Sequence, residues 1–213
     1  APFTAEELRA AKEAESNGLV FSFAEPSAIL FRTAYYEVAG YPLDFLDRYQ
    51  KEAYWALMKI ARQHGGAFLC DGVGLGKTYV GLMLIERLIL HEGKRVVLFA
   101  PKGARDGVWD PKIKKHLPHI GGTTDFSNLA VFNHTDLGRK GDFPERFKRI
   151  TDLADVVIID EAHHFRNPGY KGSEEDGDDK VSRYFRLYNL LDQAARPKTL
   201  FMLTATPINN RLS

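Results

Sequence analysis

The stretch DGVGLGKT, Asp71 to Thr78, has the residue types of a phosphate cradle. Such a cradle needs backbone N–H groups that converge on anionic oxygens, and Gly72, Gly74 and Gly76 keep bulky side chains out of that space. The amides of Gly72, Val73, Gly74, Leu75 and Gly76 would hold the phosphates, Lys77 would reach the outer ones, and the Thr78 hydroxyl would ligate Mg²⁺. Asp71 stands where the commonest form of this loop has its first glycine. A glycine-rich turn that only caps a strand would share the composition. In a second stretch, ADVVIIDEAHHFRN, apolar residues run straight into Asp160 and Glu161. Acids abutting an apolar strand are costly to bury unless paired or metal-linked, which argues against an ordinary surface turn. Asp160 would hold Mg²⁺ there, and Glu161 would orient and deprotonate an attacking water. A third stretch, LFMLTATPINN, ends an apolar run in Thr204 and Thr206, hydroxyls suited to sensing a γ-phosphate or the carboxylate pair. Read by itself, it fits a plain strand-ending turn nearly as well.

These residues act together only if the elements before them end on one edge. Short apolar runs occur at Ala67–Cys70, Arg95–Ala100, Leu129–Phe132, Val156–Asp160 and Thr199–Thr204. Between most of them lie segments of helical pattern, Lys77–Leu90, Arg105–Leu117, Pro144–Ala154 and Val181–Ala195. Runs without polar alternation imply strands buried on both faces, and helical crossovers imply parallel pairing. The expected fold is therefore α/β, a mostly parallel sheet flanked by helices. Such sheets bind ligands beyond the C-terminal ends of their strands, where all three stretches would meet. That convergence decides for the phosphate cradle. Upstream, a helix is expected over about Asp47–His64, with Ala53, Tyr54, Leu57, Ile60 and Ala61 as its apolar stripe and Gly65-Gly66 ending it. Residues 1–40 read as a peripheral N-terminal extension opened by a capping box at Thr4–Glu7, and residues 41–213 as the domain that carries the three stretches. SEEDGDD, Ser173 to Asp179, reads as a solvated acidic loop.

Composition narrows the class. The 213 residues are 44% hydrophobic, enough for a sizeable core, and carry a net charge of +1, so a nucleic-acid surface would have to be a local patch. The single cysteine, Cys70, rules out an internal disulfide and a thiolate zinc cluster, and reads as a buried structural thiol suited to a reducing cytoplasm. No apolar run is long enough to span a bilayer, and the first residues lack the basic-then-apolar order of a signal peptide. His163 and His164 are adjacent without metal-ligand spacing, and hydrogen bonding is their expected role. Tyr54 and Trp55 are expected in the core rather than as a base-stacking platform. Lysines 112, 114 and 115, Arg139 with Lys140, and Arg146, Lys148 and Arg149 form basic clusters that suit either phosphate contacts or solvated faces; Glu145 and Asp152 interleave the last.

In this order the stretches resemble superfamily-two helicases, most closely the Swi/Snf-like DNA translocases. DGVGLGKT resembles motif I of that group, in which an aspartate commonly holds the position of Asp71, while DEAHHFRN resembles motif II and LTATPINN motif III. RYQKEAYWAL is similar to the segment whose glutamine, here Gln50, contacts adenine. VVLFAPKGARDGVW, Val96 to Trp109, is similar to motif Ia, and VFNHTDLGR, Val131 to Arg139, holds the place of motif Ib. Both contact the nucleic-acid backbone in relatives, which makes Lys102 and Thr135, each following a strand, the candidates for that contact. The resemblance covers about Leu46 to Asn210. It implies a RecA-like ATP-binding lobe that uses ATP and Mg²⁺, with His163, Thr204 and Thr206 coupling hydrolysis to movement, and duplex DNA as partner.

The resemblance also implies a second RecA-like lobe outside residues 1–213, supplying an arginine finger and the other half of the DNA track. Residues 1–213 alone are then expected to hydrolyse ATP very slowly. A strand-separating helicase or the motor of a restriction system would use the same lobe. A nucleotide-binding switch or scaffold with little hydrolysis is the reading from another class, and the intact Lys77, Asp160 and Glu161 argue against it. A P-loop ATPase acting on proteins leaves Gln50 and the resemblances to motifs Ia and III unexplained. The expected location is the cytoplasm, on the nucleoid or in the nucleus when bound to DNA.

Overall fold

VVLFA and VVIID, strands β2 (Val96–Ala100) and β4 (Val156–Asp160), contain no polar alternation, and every residue of both is buried. They occupy the middle of a five-stranded sheet in the order β1-β5-β4-β2-β3, the others being β1 (Gly66–Cys70), β3 (Leu129–Asn133) and β5 (Thr199–Thr204). All four pairings are parallel. The computed structural model describes residues 46–70, 74–118, 120, 128–141, 143–166, 168, 171, 181–192, 194 and 196–205. The chain divides into two units, residues 1–48 and 49–213, and nearly all described residues lie in the second. The N-terminal extension, residues 1–40, and the acidic loop, residues 173–179, lie outside the described residues.

Parallel strands cannot be joined by tight turns, so each crossover carries a helix. These are α2 (Lys77–Glu86), α3 (Asp110–His116), α4 (Phe143–Leu153) and α5 (Arg183–Asp192), preceded by α1 (Arg48–His64). α2 runs on through a wide π-type turn, Arg87–His91, and α3 continues a helical run that opens at Lys102–Ala104 and passes through another π-type turn, Arg105–Trp109. The sequence KTYVGLMLIE is apolar on nearly every side, and all of α2 beyond Tyr79 except Glu86 is buried. A helix apolar all round belongs inside, not on the surface.

Alternation along the strands assigns two cores. Val97, Phe99, Val157 and Ile159 face α4 and α5, where Phe147 meets Phe132 at 4.8 Å and Phe99 at 5.7 Å between ring centroids. The opposite alternants include Val156 and Phe201, which line a cavity of about 200 Å³ with Met58 and Ala61 of α1 and Leu88. Asp160 is in register with Val156 and Ile158, so it emerges on the α1 and α2 side.

The stripe of α1 differs from the expected one. Gln50, Tyr54, Leu57, Met58 and Ala61 are buried, whereas Ile60 is 42% exposed. A 3.6-residue period from Tyr54 through Leu57 and Ala61 includes Met58 and leaves Ile60 at the margin. Burial on both faces holds for β2 and β4 but not for edge strand β1, where Phe68 and Cys70 are exposed. Cys70 is thus no core thiol: among the described residues β1 has a partner on one side only, and its last residue lies at the rim. Tyr54 is fully buried and Trp55 partly. Among the described residues no helix is long and apolar enough to cross a membrane.

Candidate functional site

The pairing register draws the C-terminal edge as a line. Cys70 pairs with Thr204, and Asp160 with Leu203, so the ends of β1, β5 and β4 lie side by side. Adjacent strands are about 4.8 Å apart, which places the phosphate loop after β1 roughly 10 Å from the acids after β4, a span a nucleotide triphosphate and a cation can bridge.

Asp71, Gly72 and Val73 lie outside the described residues, and the rest of the loop has the geometry of a cradle. Gly74 and Gly76 have φ of +84° and +78°, the left-handed region that glycine enters without a Cβ penalty. Gly76 is the N-cap of α2, and Lys77, its first residue, is buried; Thr78 is half-buried beside it. The helix therefore opens its N-terminal end at the loop, with the Tyr79 N–H donating back to Gly76 O at 2.8 Å. A Cβ on Gly76 would stand 2.2 Å from Gln50 Nε2, because Gln50 donates to Leu75 O at 3.0 Å. Tyr49 Oη also donates to Leu75 O, and the Gln50 amide reaches that hydroxyl at 3.2 Å. Gln50, expected at adenine, here braces the backbone of Leu75, which is itself exposed.

At the end of β4 the buried Asp160 carboxylate has a donor on each oxygen. Trp109 Nε1–H donates to Oδ2 at 2.7 Å and the Glu161 N–H to Oδ1 at 3.0 Å. Burial pushes the Asp160 carboxyl above its ordinary range; the Trp109 hydrogen bond opposes the rise, the Glu161 charge adds to it, and the Glu161 N–H and the Lys77 ammonium pull it back. Glu161 has φ of +49° and ψ of +49°, the one non-glycine with positive φ among the described residues. A left-handed non-glycine costs about 1–2 kcal/mol and aims the side chain where a right-handed turn would not. Its Oε2 lies 3.1 Å from His163 Nδ1, which is also 2.9 Å from Thr204 Oγ1. His163 Nδ1 is thus hydrogen-bonded to the hydroxyl at the end of β5 and lies close to the carboxylate after β4, whose Oε2 has no hydrogen-bond partner among the described residues. Thr206 lies outside the described residues.

Two residues of this edge escaped the sequence reading of the site. Trp109 lay inside the segment similar to motif Ia without being singled out, although a buried indole N–H always needs an acceptor. His134 follows β3 directly and is 3% exposed. Burial lowers its pKa to about 4, with the neighbouring His164 acting the same way, against the opposing pull of the Asp160 and Phe99 backbone, and its buried Nε2 has no hydrogen-bond partner among the described residues. Its ring meets Phe165 at 4.8 Å and His164 at 5.6 Å, and His164 lies 4.3 Å from His163, so imidazoles run along the edge from β3 to the turn after β4.

Lys102 and Thr135 lie at equivalent places, each two residues beyond the register pair Ala100 and Asn133, and both are exposed. Asp136 Oδ2 accepts the Asn133 N–H at 2.8 Å in a capping box that fixes the turn presenting Thr135. Of the basic clusters, Lys112 lies over the Tyr79 ring at 3.8 Å, Arg139 pairs with Asp136 at 3.1 Å, and Lys148 and Arg149 are exposed.

The Thr78 hydroxyl and the Asp160 carboxylate offer oxygen donors of the kind Mg²⁺ prefers, and Gly74 and Gly76 put no side chain of their own into the turn before Lys77. The residues therefore fit a magnesium–nucleotide pair.

No family model matches the chain. It is 28% identical over 162 residues to the uncharacterized ATP-dependent helicase YqhH of Bacillus subtilis (strain 168), covering 72% of this chain and 25% of that protein. Its structure is similar to the Sulfolobus solfataricus SWI2/SNF2 ATPase core in complex with dsDNA, with a TM-score of 0.57 at 19% identity over 78% of this chain and 33% of that one. A second structure, the Sulfolobus solfataricus SWI2/SNF2 ATPase core domain, gives 0.53 at 17% identity over 77% and 32%. The chain spans a quarter of the length of the curated relative and about a third of the solved chains it matches. The fold is SWI2/SNF2 ATPase core-like, and the RecA-like α/β architecture expected from the motifs holds.

Proposed function

We propose that this chain is the ATP-binding and hydrolysing lobe of a nucleic-acid-dependent ATPase, a translocase on duplex DNA. The observation that carries the reading is the register: Cys70, Thr204 and Asp160 end three adjacent parallel strands, with Lys77 opening the helix that follows the first. The Lys77 ammonium and the loop amides would bind and orient the phosphates, with the Thr78 hydroxyl and the Asp160 carboxylate holding the magnesium. Magnesium, when bound, neutralises charge on the β- and γ-phosphates. Glu161 would accept the proton of the attacking water, its direction set by the left-handed turn and the His163 contact. His163 would pass the state of that carboxylate to Thr204 and, through it, to Thr206.

Duplex DNA is the favoured track because one solved core of this fold is described in complex with dsDNA. Lys102 and Thr135 would touch its backbone from the C-terminal edge. The name of the curated relative, an ATP-dependent helicase, supports the use of ATP and keeps strand separation as the second reading. The motor would be completed by a second RecA-like lobe of the same protein, working in the cytoplasm or on chromosomal DNA.

Calorimetric titration of ATP with Mg²⁺ tests the nucleotide reading. Lys77→Ala removes a charge-assisted phosphate contact and should weaken binding by about 10- to 100-fold. Equal affinity in the two proteins would remove the phosphate-cradle assignment.

A further inference from the structure

Trp109 is fully buried, and its indole N–H points at Asp160 Oδ2 from 2.7 Å. The indole nitrogen is a donor only and does not titrate, so the bond has one possible sense. Its ring also lies against the phosphate helix. A Cβ added at Gly81 of α2 would stand 2.5 Å from Trp109 Cη2 and 3.2 Å from Leu203 Cδ1, one residue before Thr204. One side chain thus touches the helix that Lys77 opens and the carboxylate that ends β4. It arrives from the run that begins at Lys102 and passes through the π-type turn Arg105–Trp109, a backbone form frequent at functional sites.

We propose that Trp109 is the positioning residue of Asp160: its indole N–H fixes the carboxylate for metal binding and ties the segment after β2 to the nucleotide site. This rests on the nucleotide reading above. A buried indole needs some acceptor, and a backbone carbonyl would meet that need as well. Here the acceptor is the carboxylate assigned to the metal, and it is held by Trp109 on Oδ2 and the Glu161 N–H on Oδ1. A carboxylate has about four acceptor directions, so two such bonds lock its plane and leave the remaining directions for a cation and its water shell. Gly81 is the necessary clearance, since any larger residue there meets the indole ring.

The experiment uses the full-length protein and a non-hydrolysable ATP analogue, with Mg²⁺ titrated into the nucleotide complex and binding, not turnover, as the readout. Trp109→Phe keeps an aromatic ring and removes the N–H. Its affinity for the metal-free analogue should stay within about twofold of the parent, while its apparent Mg²⁺ affinity should fall about 10- to 100-fold, as for other partners that orient metal ligands. A folded Trp109→Phe protein with unchanged Mg²⁺ affinity would overturn the proposal. An unaltered protein that fails to bind the analogue would overturn the nucleotide reading instead. Should Trp109→Phe not fold, Trp55→Phe leaves Trp109 as the single tryptophan of residues 1–213, which contain two. Any tryptophan outside those residues is replaced by phenylalanine in the same protein. Trp109 emission should then change on Mg²⁺ addition in step with metal binding, because the charge on its acceptor is being shared. Emission that ignores saturating Mg²⁺ would also overturn the proposal.

Discussion

Gly74 and Gly76 share a backbone conformation but not a neighbourhood, and that difference gives a test within one loop. At Gly74 an added Cβ meets nothing within 4 Å, so Gly74→Ala costs only the left-handed strain, about 1–2 kcal/mol. At Gly76 the same strain is joined by a 2.2 Å approach to Gln50 Nε2, which must leave Leu75 O. Thermal unfolding should rank Gly76→Ala below Gly74→Ala, and calorimetry should show the larger loss of nucleotide affinity for Gly76→Ala. Equal effects would remove Gln50 from the bracing of the loop. The glycines themselves were legible in the sequence because a φ above zero and a bare phosphate cradle both select for them. The bracing was not, since Gln50 and Leu75 are brought together by packing rather than by spacing. Trp109 and His134 escaped for the same reason: each owes its place to a strand end on another part of the chain.

Among the elements, α2 carries a liability of its own making. Its nearly continuous apolar surface leaves Glu86 half-buried, and burial raises that carboxyl from about 4.5 to about 7. Between those values the folded protein keeps a proton that the unfolded chain has lost, so the contribution of this group is full below pH 4.5 and is lost as pH rises through 7. Glu86→Gln should therefore stabilise the protein at pH 8 by about 1 kcal/mol, after allowance for solvent screening, and raise Tm by about 2–4 °C. Below pH 4 the advantage should vanish, and an advantage that persists there would deny the titration. Element positions were the most readable part of the sequence because five apolar runs with helical segments between them admit few arrangements. Edge behaviour was less readable. The apolar run ending at Cys70 resembles those of β2 and β4, and only the strand order reveals that β1 has a single neighbour among the described residues.

For the whole molecule, the described groups assigned to phosphate, metal and track lie toward one edge of the sheet, with residues 74–77 following one outer strand and Thr135 following the other. If Lys102 meets a phosphate, Lys102→Ala in the full-length protein should weaken duplex binding equally across sequences and reduce the slope of log affinity against log salt by about 1. An unchanged slope would take Lys102 off the track. Residues 1–213 alone should release phosphate very slowly whether or not DNA is present, because an arginine finger contributes about 10³–10⁵ in rate and the proposed source is the second lobe. Robust DNA-stimulated release from these residues alone would place the finger within them.

The exposed rim position of Cys70 has a practical side. It is the single thiol in 213 residues, it pairs in register with Thr204, and it immediately precedes Asp71 of the phosphate loop. Partial burial raises its pKa above the ordinary thiol value, so alkylation should be slow at neutral pH and quicken in mildly alkaline buffer. A small fluorophore coupled there would sit at one defined point beside the cradle, without any engineered cysteine, and its quantum yield could follow nucleotide arrival in real time.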